Sequence, residues 1–303
     1  MILHPKKIGT YIMFGLALFL VPPFYSSAGA EKDQLDRAIS LPVMPRRVVS
    51  LAPSITEIIF ALEQAHRLVG VTRYSDYPHG AARLPKVGSY VHLDIERIVA
   101  LNPDLCIATK DGNPKAIIDR LTSLKIPVYV VDPHSLDTIL TTIMEIGSIF
   151  HADDKARTLT TSMRTRIQRL KSRVAQLNDR PRVFFQIGVS PIVSAGTDTF
   201  IHELIEVAGG KNLAEGRSAY PRFSREQVLA LEPEVIIITS MARQAEFEEV
   251  KAEWRRWPNI PAVRDDRIFL VDSDLFDRPS PRLVSGLELL ARLIHPDLQE
   301  QSP

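Results

Sequence analysis

DIERIVALNPDLCIAT, residues 94–109, is written a second time as SREQVLALEPEVIIIT, residues 224–239. The two stretches superpose without a gap at an offset of 130 residues. Ala100, Leu101, Pro103 and Thr109 fall on Ala230, Leu231, Pro233 and Thr239. Other positions exchange like for like: Ile98 for Val228, Asp104 for Glu234, Leu105 for Val235. Glu96 falls on Glu226. Each stretch reads as a short helix, a Pro-marked turn and a continuous apolar run of strand type, the pattern of a buried parallel strand. A chain that repeats such a unit predicts two similar α/β lobes.

Outward from the first copy, the same alternation continues. RVVSLAPSITEIIFAL (47–62) reads as a strand and a helix, with Ser54 and Glu57 spaced as a capping box. LVGVT, PDLCIAT and PVYVVD read as strands; AIIDRLTSLKI and SLDTILTTIMEIGSIF read as helices. The order β-α-β-α-β-α predicts a doubly wound, mostly parallel sheet. Residues 153–178 then contain neither Pro nor Gly, and Ala156, Leu159, Met163, Ile167, Leu170, Val174 and Leu177 form one stripe at steps of three and four. That pattern predicts one long helix bridging two lobes. Beyond Pro181 the alternation resumes through RVFFQIG, TFIHELIEVAGG, EVIIIT, RIFLVD and SGLELLARLI. The expected organisation is an N-terminal lobe over 46–152, a bridging segment over 153–180 and a C-terminal lobe over 181–298.

Composition narrows the function. The chain has 303 residues, a net charge of +1 and no basic stripe, which argues against a nucleic-acid partner. Lys6 and Lys7 precede an apolar run that ends at Pro22-Pro23, and small residues follow up to Ala30. This predicts a cleaved signal peptide over 1–30 and export to the periplasm. No Cys stands at the cleavage point, so lipidation is not expected. Residues 31–45, polar and broken by Pro, predict a poorly ordered lead-in. The single cysteine, Cys106, lies inside an apolar run and predicts a buried hydrophobe. H-E-x-x-H, G-x-S-x-G, Walker and G-x-G-x-x-G patterns are missing from the sequence, and the histidines lack metal-ligand spacing. The expectation is a binding protein rather than an enzyme, with no bound cofactor or metal.

Open α/β sheets bind ligands in the loops that follow the C-terminal ends of their strands. Here those loops carry aromatics mixed with a few polar groups, as a large and partly apolar ligand requires. They contain Tyr74 and Tyr77; Tyr90 and His92; Lys110 and Asn113; Tyr220 and Phe223; Asp274, Phe276 and Arg278.

These motifs carry a resemblance. YSDYP (74–78), ERIVALNPDL (96–105), Gly112-Asn113, RVFFQIG (182–188), EVAGGKN (206–212), SREQVLA (224–230) and FDRPSPR (276–282) together resemble the cobalamin-binding proteins of vitamin B12 ABC importers. The likeness covers nearly all of the chain after residue 46. It implies the class III solute-binding fold, two α/β lobes on one rigid helix. It implies capture of cobalamin or a related corrinoid as cargo and delivery to an inner-membrane ABC permease dimer with its ATPase, by a monomer. It implies that Glu96 and Glu226 dock on that permease, one from each lobe. It also implies that Tyr74, Asp274 and Arg278 touch ligand. Tyr90, Thr109 and Tyr220 stand where the family has tryptophans, and Val193 stands where it has a phenylalanine. The lost aromatic area leaves a related haem or ferric-siderophore receptor as the alternative, with His92 or Tyr90 as an axial ligand. A helix-dipole role for the two glutamates is the alternative to docking.

Overall fold

A computed structural model describes residues 30–239 and 244–300. The expected signal peptide lies outside these residues apart from Ala30. The protein is an α/β molecule of two lobes. In the first, four parallel strands lie in the order Leu68–Val71, Val48–Ser50, Leu105–Thr109, Val128–Val131. In the second, Arg182–Gly188, Val235–Thr239 and Ile268–Val271 run parallel. The second sheet is not a copy of the first. Ile192–Ser194 adds antiparallel to Arg182–Gly188, and Arg222–Phe223 adds antiparallel to that. Neither strand was anticipated, because two or three residues carry no readable period.

The repeated stretch folds as a repeated object. The helices Ile95–Ala100 and Arg225–Ala230 and the strands Leu105–Thr109 and Val235–Thr239 keep the 130-residue offset at both ends. Asp94 caps the first helix by accepting from the Arg97 N–H, and Ser224 caps the second by accepting from Gln227. Both helices leave through a left-handed residue, Asn102 (φ 45°) and Glu232 (φ 46°). The acids that follow repeat a bond: Asp104 accepts from the Arg47 N–H, and Glu234 from the Arg182 N–H. Each therefore ties its own strand to the start of the neighbouring one.

Successive side chains of each sheet face opposite layers, and the inward ones share a single core. Val48, Leu105 and Ile107 of one sheet and Val183, Phe185, Val235 and Ile237 of the other belong to it. The bridge is the helix Asp153–Val174, about 33 Å long at 1.5 Å per residue. It contributes Ala156, Met163, Ile167 and Leu170 to that core. The helix is shorter than the expected stretch. Its end tightens into i to i+3 bonds, Gln176 to Arg173 and Leu177 to Val174, which leaves Leu177 beyond the regular helix. Among the described residues no helix is long and apolar enough to cross a membrane.

Two further expectations give way to the structure. Residues 31–45 are not a loose lead-in: Ala30–Lys32 and Ala38–Ser40 pair as a hairpin, and buried Asp33 accepts from the Val130 N–H. The capping box at Ser54 and Glu57 does not form. Pro53 opens that helix after Ala52, with no side-chain cap. Glu57 turns instead toward the other lobe.

Candidate functional site

The C-terminal ends of the strands converge on a cavity of about 450 Å³ between the lobes. All four strands of the first lobe supply lining residues at or just past their ends: Ser54, Tyr74, Thr109 with Asp111, and Asp132. The second lobe supplies Ile187, Phe200, Tyr220, Asp274, Asp277 and Arg278. Of the residues named from sequence, Tyr74, Tyr90, Thr109, Tyr220, Asp274 and Arg278 come together here.

The two tyrosines of the first lobe form one wall. Tyr74 and Tyr90 meet edge to face with ring centroids 6.4 Å apart. The ring of Tyr90 rests on Gly112, whose φ is +121° and where a Cβ would sit 2.8 Å from the ring. Any L side chain at 112 would strain the backbone and displace that wall. Tyr220 faces it from the second lobe and donates its hydroxyl to Asp111 across the cleft (3.3 Å). Burial, and then the Asp111 carboxylate, push the Tyr220 phenol above its usual range. Burial does the same to Tyr90.

Asn113 and Lys110 act beside the cavity, not in its wall. Buried Asn113 donates to Leu51 O (2.9 Å) and Tyr90 O (2.7 Å) and accepts from the Thr109 N–H (2.8 Å). It pins three cleft loops to one another. Lys110 pairs with Asp132 at 2.7 Å. Val193 does not line the cavity; its strand packs it against Gly188. His92 is exposed and also outside the lining. Phe223 and Phe276, expected among the cleft aromatics, are core residues at 5% and 0% exposure. Tyr77 stacks under the Arg282 guanidinium, 3.8 Å from ring centroid to carbon.

Sequence reasoning missed the acids. Asp111, Asp132 and Asp277 line the cleft beside Asp274. Asp277 accepts from Thr239 Oγ1 (3.0 Å), and burial pushes its carboxyl up to about 7. Glu57 was misread as a cap. Its side chain is 2% exposed and accepts from Arg278 (3.1 Å), Ser280 (2.7 Å) and Arg282 (2.6 and 2.9 Å). This network joins the first helix of one lobe to the last loop of the other.

Glu96 and Glu226 stand exposed in the first turns of the matched helices. Its own N–H and the Ser224 hydroxyl hold the Glu226 carboxyl below its usual range.

Residues 48–275 match the profile of the family described as periplasmic binding protein. A vitamin B12-binding protein of Yersinia pestis is 32% identical over 84% of this chain and 89% of its own length. The crystal structure of the periplasmic vitamin B12 binding protein of Vibrio cholerae superposes with a TM-score of 0.74 at 30% identity, covering 85% of this chain and 99% of that one. A periplasmic heme binding protein from Pseudomonas aeruginosa superposes at 0.76 with 26% identity, covering 84% and 94%.

Proposed function

The chain belongs to the periplasmic binding protein family, and from that premise we propose that it captures cobalamin or a related corrinoid between its lobes. The observation that carries this reading is the cleft. Tyrosines face each other from both lobes across a cavity at the strand ends, rimmed by Thr109, Asp111 and Asp274. Aromatic faces suit a flat macrocycle, and hydrogen-bonding groups at the rim suit its polar substituents. The cleft works by binding, not by turnover, and corrinoid is its cargo rather than a cofactor.

The proposed partner is an inner-membrane ABC permease dimer with its ATPase. Glu96 and Glu226 support it: the same charge occupies the same turn in both lobes, as a two-fold symmetric partner requires. Such rim charges set register and encounter rate more than affinity. In this reading the protein is exported by cleavage after Ala30 and acts as an unlipidated monomer in the periplasm.

Isothermal titration of the chain from residue 31 with cyanocobalamin and with haem tests the proposal. One-to-one binding of cyanocobalamin, weakened by Tyr74→Ala, is the expected result. Binding of haem alone would move the ligand to the second reading, a haem receptor, which the likeness to the Pseudomonas aeruginosa protein favours.

A further inference from the structure

The cavity lining holds four carboxylates, Asp111, Asp132, Asp274 and Asp277, against one guanidinium, Arg278. A lone cation in a cleft invites an anionic ligand. Arg278 is already committed. Its Nη1 donates to Glu57 (3.1 Å) and Asp76 (3.2 Å), and its Nη2 to Tyr74 O (3.1 Å) while pairing with Asp274. Glu57 is the buried anchor of that arrangement, and Arg282 and Ser280 hold it in place. Two other cations stand beside the cleft: Lys110 is paired with Asp132, and Arg282 with Glu57 and, at 3.9 Å, with Asp274. Lys110 and Arg278 are thus taken up by Asp132 and Asp274, and Asp111 and Asp277 line the cleft outside those pairs. Burial also pushes both Asp274 and Asp277 upward, so the cleft resists even the negative charge it carries.

We propose that the cleft selects macrocycles whose rim carries neutral N–H donors or positive charge and rejects those with a carboxylate rim. Glu57, with Asp76 and Asp274, sets this preference by occupying Arg278. The amide groups around a corrin are such donors, whereas the propionates of haem would face like charge in a partly dry site. The inference rests on the proposed function, since it concerns what the same cleft accepts.

Two matched ligand pairs test it on the chain from residue 31. One is cyanocobalamin and the monocarboxylate made by hydrolysing one of its peripheral amides. The other is haem with both propionates converted to amides, and haem itself. In each pair the amide is expected to bind roughly tenfold more tightly than the acid, with the gap shrinking as salt rises. Glu57→Gln removes one of the three carboxylates paired with Arg278 and should tighten binding of the acids while weakening the amides, an opposed change that mere loosening of the fold does not produce. Asp111→Asn, at an exposed position, should narrow the gap without disturbing the buried network. An acid that binds as well as its amide, in whichever pair binds, overturns the inference and leaves the corrinoid reading standing if the cobalamins bind. A preference for the amide confined to the haem pair, with no cobalamin binding, upholds the inference and overturns the corrinoid reading. Failure of all four to bind overturns both.

Discussion

Replacing Glu57 by alanine removes the acceptor for two guanidiniums that are themselves mostly buried, at 12% and 20% exposure. Deleting one partner of a buried ion pair costs about 3–5 kcal/mol, because the stranded charge keeps its desolvation penalty. Arg278 retains Asp274, Asp76 and Tyr74 O, and Arg282 retains the face of Tyr77. That places the loss at the lower end, about 3 kcal/mol. With a urea slope of about 3 kcal/mol per M, the unfolding midpoint should fall by about 1 M. Fluorescence of Trp254, buried against Gln186 in the second lobe, reports the transition. Adding Arg282→Met to Glu57→Ala removes one stranded charge and should restore part of the midpoint. A midpoint within about 0.2 M of the parent would refute the reasoning, because it would leave the network contributing no more than an exposed pair does.

Other consequences are as specific. Gly112→Ala should weaken corrinoid binding about tenfold or more while costing about 1–3 kcal/mol of stability, since it strains the backbone and lifts the ring of Tyr90; calorimetry and urea unfolding read the two effects separately. Glu96→Ala with Glu226→Ala should weaken association with permease vesicles and leave ligand affinity unchanged, and undiminished transport by the double variant would defeat the docking role. Asp277 has a folded-state carboxyl raised to about 7 from 3.8, so the folded form holds the extra proton between those values. Its contribution to stability is fully present below 3.8 and is lost as pH rises through 7. Asp277→Asn should flatten that decline in urea midpoints between pH 4 and pH 8, and an unchanged slope would contradict the assignment.

Most of the frame was legible because it is local. Asp94, the Pro-marked turn and the apolar run LCIAT are all read within sixteen residues, and the second copy supplied an internal control. The bridging helix was legible from its period. The cleft was half legible. Tyr74, Tyr90 and Tyr220 stand out because aromatics in Pro- and Gly-rich loops need a reason, whereas an aspartate such as Asp111 in a turn does not. Glu57 was illegible for a different cause. Its partners Arg278 and Arg282 lie 221 and 225 residues away, while Ser54 nearby offered a local explanation that the backbone did not use. Phe223 and Phe276 misled because a loop aromatic and a core aromatic look alike until the strands around them are paired.

The inward faces of both sheets and the bridging helix form one apolar body, and Glu57 fastens the lobes again beside the cleft. A receptor doubly stapled in this way has little hinge left with which to announce that it is loaded. If Glu96 and Glu226 dock as proposed, their separation is the same full or empty, and empty copies compete for the importer on nearly equal terms. Uptake should then pass through a maximum as receptor is raised at fixed ligand, and the task of telling cargo from no cargo falls to the membrane partner.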